Sequence, residues 1–427
     1  MKKEKTPPLS KNIIRLASLN IPGGGQITVE DGLAFVGHMD APNGTSIIDV
    51  KDPSNPRILK QIFLDDELSH THKVRVAGNI MITNVEQAQR HLLRRGEKLP
   101  DVSKQLALSL GRPPNDAEIA AALGLPENKL TDVRRFLNDG YNDGGFRVWD
   151  ISDPSKPELL SYVRTHGFGV HRFDMDENYA YISTEMEGYV GNILVIYDLA
   201  DPKKPIEVSR WHMPGQHIAA GEKPSWKGYK NRLHHALRIG NELWAAVWNA
   251  GFQVIDVTDI RKPKTIASHN YHPPFPEPTH TALPCEQLID GRRIAVVVDE
   301  EHEHTPGQLH AFLWIFDVTD PQKIQALSTF NVSETESPWS QCEGRFGAHQ
   351  FREKIDGTLV YVTWFSGGLR VVDIADPFLP KEVAHYIPPA PEKFPSPQSN
   401  DVDVDENGVI YVLDRNHGLE ILRLENV

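Results

Sequence analysis

Five histidines recur at one position of an internal repeat. They open the stretches His72-Lys-Val-Arg-Val, His171-Arg-Phe-Asp-Met, His235-Ala-Leu-Arg-Ile, His280-Thr-Ala-Leu and His349-Gln-Phe-Arg. A sixth copy opens on Asn400 and a seventh on Gly25. Imidazole is a common ligand of zinc, copper, iron and nickel, and a rigid strand presents it well. One ion rarely takes five imidazoles. Three or four are expected as ligands, with the remainder binding substrate or moving protons. The cofactor expected is a transition metal ion, iron or copper first, with zinc or manganese as alternatives.

Carboxylates stand where a second group of strands ends. Thr184-Glu185-Met-Glu187 and Asp299-Glu300-Glu301-His302-Glu303-His304 are the richest such stretches. A carboxylate beside a ligand histidine fixes its tautomer, ligates directly or acts as a general base. Glu185, Glu187, Glu300 and His302 are therefore the candidate catalytic residues. His38 and Asp414-Arg415-Asn416-His417 end strands on the same rim, and Trp248 and Trp364-Phe365 could line an apolar pocket. His70 lies two residues before His72 and shares its side of the chain, whereas His234 is expected to point away from His235. The plainer alternative is that the repeated histidines bond the backbone of a neighbouring unit and that the acidic run is a solvated loop.

The elements that must position these residues also repeat. A turn and a second apolar strand follow each opening. A third strand then ends in aspartate, as in Thr45 to Asp49, Gly145 to Asp150, Asn192 to Asp198, Gly251 to Asp256, Phe312 to Asp317 and Gly368 to Asp373. Asp-Pro turns follow most of them and lead to a fourth strand. Four antiparallel strands in each of seven units predict an all-β, seven-bladed β-propeller. The last unit runs out of chain after three strands, so the stretch Asn12-Ile-Ile-Arg-Leu-Ala-Ser is expected to close it and remove the sheet edge. The whole chain, 1–427, reads as one propeller domain. Residues 88–143 interrupt the second unit with helical spacing, an N-capped helix at Asp116 and a glycine stop, and predict a small α-helical insert. Because it belongs to a second-to-third-strand loop, it is expected to stand over the histidine mouth as a lid.

Composition narrows the classes. A net charge of −13 argues against nucleic acid or an anionic membrane as partner. Cys285 and Cys342 cannot build a disulfide framework and carry no CxxC pattern. No apolar run is long enough for a membrane span, and no apolar segment follows the N-terminal lysines. A cytoplasmic protein is expected, and a homo-oligomer is compatible with the sequence.

The third strands carry a family resemblance. Leu194-Val-Ile-Tyr-Asp198, Phe252-Gln-Val-Ile-Asp256 and Leu369-Arg-Val-Val-Asp373 resemble the LVIVD repeat of bacterial propeller proteins. More distantly the chain is similar to the selenium-binding protein and methanethiol oxidase group, which implies copper and histidine ligands. That group also relies on cysteine chemistry, for which no motif matches here. Carotenoid oxygenases offer an analogy of architecture only, holding iron on channel histidines. The function expected is a metal-dependent oxidoreductase acting on a small-molecule substrate at a histidine-ringed channel mouth. A metal-dependent hydrolase or lyase, and a non-catalytic scaffold for a protein partner, are the alternatives.

Overall fold

A computed structural model describes residues 8–302 and 305–425, with backbone alone for His417. Glu303 and His304 of the acidic run lie outside the described residues. Apolar residues alternate along short strands, and these stack as antiparallel sheets around a central channel. In each repeat unit but the last the strand order follows the chain, from the strand nearest the histidine position outward. The Asp-Pro turns are locked as expected. Asp52 Oδ1 accepts from Ser54 N at 3.1 Å, and Asp153, Asp201, Asp320 and Asp376 repeat this bond two residues on.

The expected seven blades are not found, and the count is corrected to five. Five sheets of four or five strands form separate blades, while the second and third repeat units share one nine-stranded sheet. The cause is local. The opening strand of the second unit is broken around His72 into Ser69–His70 and Val74–Ala77. Its partner Ile80–Gln87 runs on past the break, and Glu86 pairs with Gly169 of the next unit. Gly169 has φ +91°, and a Cβ there would strike the Val85 carbonyl and the Gly144 backbone. The seam therefore depends on glycine at that position.

Ile13–Pro22 pairs antiparallel with His417–Leu424, and Leu9–Lys11 adds an edge strand beside Lys381–Ile387. The chain start thus completes the last unit and also clasps the one before it. Ile21 is buried with Ile27, Val36, Tyr411 and Leu419 where the first and last units meet.

The insert consists of α1 (Arg90–Gly96), α2 (Leu99–Leu110), α3 (Asp116–Leu123) and α4 (Leu130–Asp139). Asn115 and Glu118 form a capping box at the start of α3, and Gly124 ends it at φ +63°. Leu93, Ile119, Leu123, Leu130 and Val133 make a small core that includes Phe168 of the propeller, with Phe136 stacked on Phe168 at 5.2 Å. Arg94 ties α1 to the rim through an ion pair with Glu185 and lies 3.9 Å over the Tyr229 ring. No helix among the described residues is long and apolar enough to cross a membrane.

If the N-terminal strand is integral to closure, its inward and outward positions should differ sharply. Ile21→Ala removes a side chain that is 1 % exposed and is expected to cost about 2–4 kcal/mol. Ile14→Ala, at 38 % exposed, is expected to cost less than about 1 kcal/mol. Urea unfolding followed by circular dichroism measures both, and equal small losses would contradict the closure.

Candidate functional site

Histidine rings from five repeat units meet at one end of the channel. His70, His72, His171, His234, His280 and His349 form an arc, with neighbouring ring centroids 4.0, 5.5, 4.7, 4.0 and 4.4 Å apart. They line a cavity of about 180 Å³ together with Glu86, Glu300, Lys73, Arg90, His91, Trp248, His302, Arg345 and Arg415. A larger cavity of about 790 Å³ opens among the first-to-second-strand turns near Glu30, Gly357 and Asp405, and no histidine lines it.

The strands bring the rings together in different ways. His171 and His280 sit within the strands His166–Met175 and Thr279–Pro284, while His349 immediately precedes Gln350–Phe351. Gly25 stands where the first unit lacks a histidine. A Cβ there would come 2.7 Å from the His72 carbonyl oxygen, so glycine makes room for the next unit's histidine. At Asn400, the other exception, the backbone carbonyl oxygen accepts a hydrogen bond from His349 Nδ1 and so orients that ring.

Four of the five expected ligand histidines, His72, His171, His280 and His349, line the cavity. His235 lies deeper. Its Nε2 is 3.1 Å from Glu353 Oε1, and its Nδ1 is 2.8 Å from His234 Nδ1. The ring at the mouth is His234, which corrects the expectation that it points away. The strand begins only at His235, so strand alternation does not govern the residue before it. Of the expected carboxylates, Glu300 reaches the cavity. Glu185 is turned to Arg94 of α1, and Glu187 is exposed. His302 lines the mouth 5.2 Å from the Trp248 ring. His38 is fully buried and satisfied by the Pro22 carbonyl and Ser46 Oγ. Trp364 is core, packed edge-on to Phe330, and the next residue, Phe365, faces His349 at 4.8 Å. Glu86 was not anticipated. It ends a second strand as Glu185 and Glu300 do, and that position was its signal.

Two groups have the donor chemistry of a cation site. His70, His72 and Glu86 form one, and His234, His280 and Glu300 the other, each with ligand atoms within 4.8 Å of one another. Tautomers sharpen this reading. Thr281 Oγ1 donates to Gln350 Oε1 at 2.6 Å, so it accepts from His280 Nδ1 at 2.9 Å. His349 Nδ1 donates to a carbonyl. Both rings therefore turn an unprotonated Nε2 inward, and His349 Nε2 lies 3.9 Å from the Glu300 carboxylate. His70 has an acceptor on each side. Its Nδ1 lies 3.2 Å from the Met39 carbonyl oxygen and its Nε2 3.0 Å from Glu86 Oε2, and a neutral ring can donate to only one of them. Lone pairs facing lone pairs require a cation or an added proton between them. A chain of contacts also links Glu86, His171, His234, His235 and Glu353. Its four contacts call for four protons, and three neutral imidazoles bring three.

Electrostatics keep the donors in their ligating forms. Burial holds His72, His234, His235, His280 and His349 well below the ordinary imidazole value and lowers His171 to about 3. Burial pushes the Glu86 carboxyl up, but Arg90, His171 and His70 outweigh it and hold the group well below the carboxylate range. Arg345 does the same for Glu300 against its burial. Neutral imidazoles beside ionised carboxylates form a donor set ready for a metal. The insert contributes directly, since Arg90 pairs with Glu86 and its Nη2 lies 3.5 Å from His171 Nε2.

Comparison with known proteins bears on the scaffold. The LVIVD repeat matches residues 25–65, 140–165, 174–212 and 354–387. None of the cavity histidines falls in these stretches. No curated protein matches the chain. Among solved structures, a chain of the mitotic checkpoint complex is 8 % identical with a TM-score of 0.54, covering 100 % of this chain and 98 % of its own. The WD40 β-propeller domain of Doa1 is 8 % identical with a TM-score of 0.52, covering 97 % of each. The chain is thus an LVIVD-repeat-bearing β-propeller, and these likenesses concern the fold alone.

The buried histidines set an acid limit on the metal-free fold. In the unfolded chain they protonate near pH 6.5, whereas His171 does so in the folded chain only at about 3. Between those values the unfolded state binds more protons, so stability is full above pH 6.5 and falls as pH drops. Thermal unfolding of chelator-treated protein is expected to show a steep loss of Tm below pH 6.5, shallower in His171→Asn; a flat Tm from there to about pH 4.5 would contradict the buried neutral cluster.

Proposed function

We propose that the chain is a metal-dependent enzyme, an oxidoreductase acting on a small molecule at the histidine-lined channel mouth. The observation that carries this reading is the convergence of unprotonated imidazole nitrogens and ionised carboxylates in the two groups. His70, His72 and Glu86 would hold one ion, and His234, His280 and Glu300 a second, with His349 beside Glu300 and His171 between the groups. Two histidines and one carboxylate with open positions suit iron, and the absence of thiolate from either set argues against a copper(I) or iron–sulfur preference. Bound there, a redox metal would activate dioxygen or accept electrons from substrate. The protein's own contribution is to orient His280 through Thr281 and His349 through Asn400, to hold Glu300 ionised through Arg345, and to limit water by the start of α1.

Zinc in the same groups would favour hydrolysis. A scaffold reading draws on α2, where Leu108 is 78 % exposed and no residue is buried. It leaves the paired lone pairs at the mouth without a purpose.

Elemental analysis of the purified chain tests the proposal. About one or two equivalents of iron, copper, manganese or zinc are expected, falling by the one equivalent held at His234, His280 and Glu300 in His280→Ala and in Glu300→Gln, and unchanged in His38→Gln. No metal in the parent after reconstitution with each ion would overturn the metalloenzyme reading.

A further inference from the structure

The histidine cavity also carries basic groups beyond those its carboxylates engage. Arg90 pairs with Glu86, and Arg345 Nη1 lies 2.6 Å from Glu300 Oε1. Asp40, the remaining acid of the lining, is exposed to solvent. Arg415 is left over. Its side chain makes no ion pair among the described residues, and its Nε is buried without a hydrogen-bond partner. Its guanidinium stands 5.5 Å from the Phe365 ring, which Arg345 approaches at 5.1 Å. Across the mouth Arg232 lies 3.6 Å over the Trp248 ring, and its Nη2 is likewise buried without a partner. Both arginines keep their charge at neutral pH on general grounds. A buried, unpaired guanidinium is costly, and an oxyanion on its planar fork offsets the cost.

The backbone supports the same spot. Trp248 and Phe365 occupy equivalent positions of the fourth and sixth units, and both have positive φ, +37° and +33°. Aromatic residues seldom adopt that conformation, and such strain persists where the surroundings impose it, often at ligand sites. Here it sets Trp248 at the mouth and Phe365 behind His349, each with an arginine against its ring.

We infer that the histidine cavity takes a small organic oxyanion, with Arg415 as its chief charge partner and Trp248 as an apolar wall. The inference rests on the reading of this cavity as the substrate site, and it names a carboxylate-type anion as the substrate class. The volume of about 180 Å³ sets the size, since an apolar cavity of about 150 Å³ accommodates benzene. A carboxylate on a short aliphatic chain or a single ring fits. The site is local: the chain as a whole carries a net charge of −13, so its average field would repel such a ligand, and Arg415 must supply the attraction.

Isothermal titration calorimetry of the full chain with acetate and benzoate, against their neutral isosteres acetamide and benzamide, tests this. Each anion is expected to bind at least tenfold tighter than its amide. Arg415→Gln is expected to weaken the anions at least tenfold and leave metal content unchanged, while Arg415→Lys retains most of the binding. The anion-against-amide comparison uses the unaltered chain and stands even if a variant fails to fold. Equal affinity for anion and amide, or anion binding untouched in Arg415→Gln, would overturn the inference. Titrations run on both chelator-treated and metal-loaded protein separate it from the metal proposal. Anion binding that follows the metal and ignores Arg415 sinks the inference and leaves the metal reading standing. Anion binding that needs Arg415 in a chain that takes no metal supports the inference and sinks the metal reading.

Discussion

Imidazoles can be buried side by side only while they stay neutral, and this constraint governs the mouth of the channel. Six rings stand in contact from His70 to His349, each nearly excluded from solvent. Protonating His72, His171, His234, His280 or His349 would place a charge against its neighbours in a low-dielectric setting. Neutral rings have one donor and one acceptor nitrogen, so every outward hydrogen bond decides what the inward nitrogen offers. Where Thr281 and the Asn400 backbone carbonyl take the outward proton, the inward nitrogen is a bare lone pair, and that of His349 lies 3.9 Å from Glu300. The cluster is consistent as a cation site because its buried carboxylates and imidazoles both arrive deprotonated.

The propeller supplies this arrangement by geometry alone. Opening strands of successive units start at one rim, so residues separated by hundreds of positions share a volume of about 180 Å³. Two units depart from histidine at this position: Gly25 admits His72, and the Asn400 side chain donates through Nδ2 to the Gly25 carbonyl at 2.9 Å. The helical insert adds what the strands cannot. Arg94 and Phe136 dock it on Glu185 and Phe168, and docking brings Arg90 onto Glu86 and His91 to the cavity wall. Glu185 thus serves the site through the insert's position rather than by touching it.

Much of this was legible in the sequence, and the remainder failed for identifiable reasons. Repeat spacing located His72, His171, His280, His349 and Glu300, because a period-two strand carries the same residue to the same rim in each unit. It misassigned His234 and His235 because alternation holds only inside a strand, and the strand starts at His235. It missed Glu86 because the insert follows the second-strand end directly, masking a carboxylate equivalent to Glu185. Seven repeats did not become seven blades, since a break at His72 and a seam at Gly169 fuse two units into one sheet. Backbone breaks of that kind leave no periodic trace, and glycine alone does not distinguish a seam from a turn.

X-ray absorption at the metal edge of the purified protein probes the central claim most directly. The account predicts a first shell of nitrogen and oxygen at about 2.0–2.2 Å with the outer-shell scattering of at least two imidazoles and no sulfur. An absorbing metal coordinated by oxygen alone, or by sulfur, would contradict it, because the buried histidines would then have no part in holding the ion.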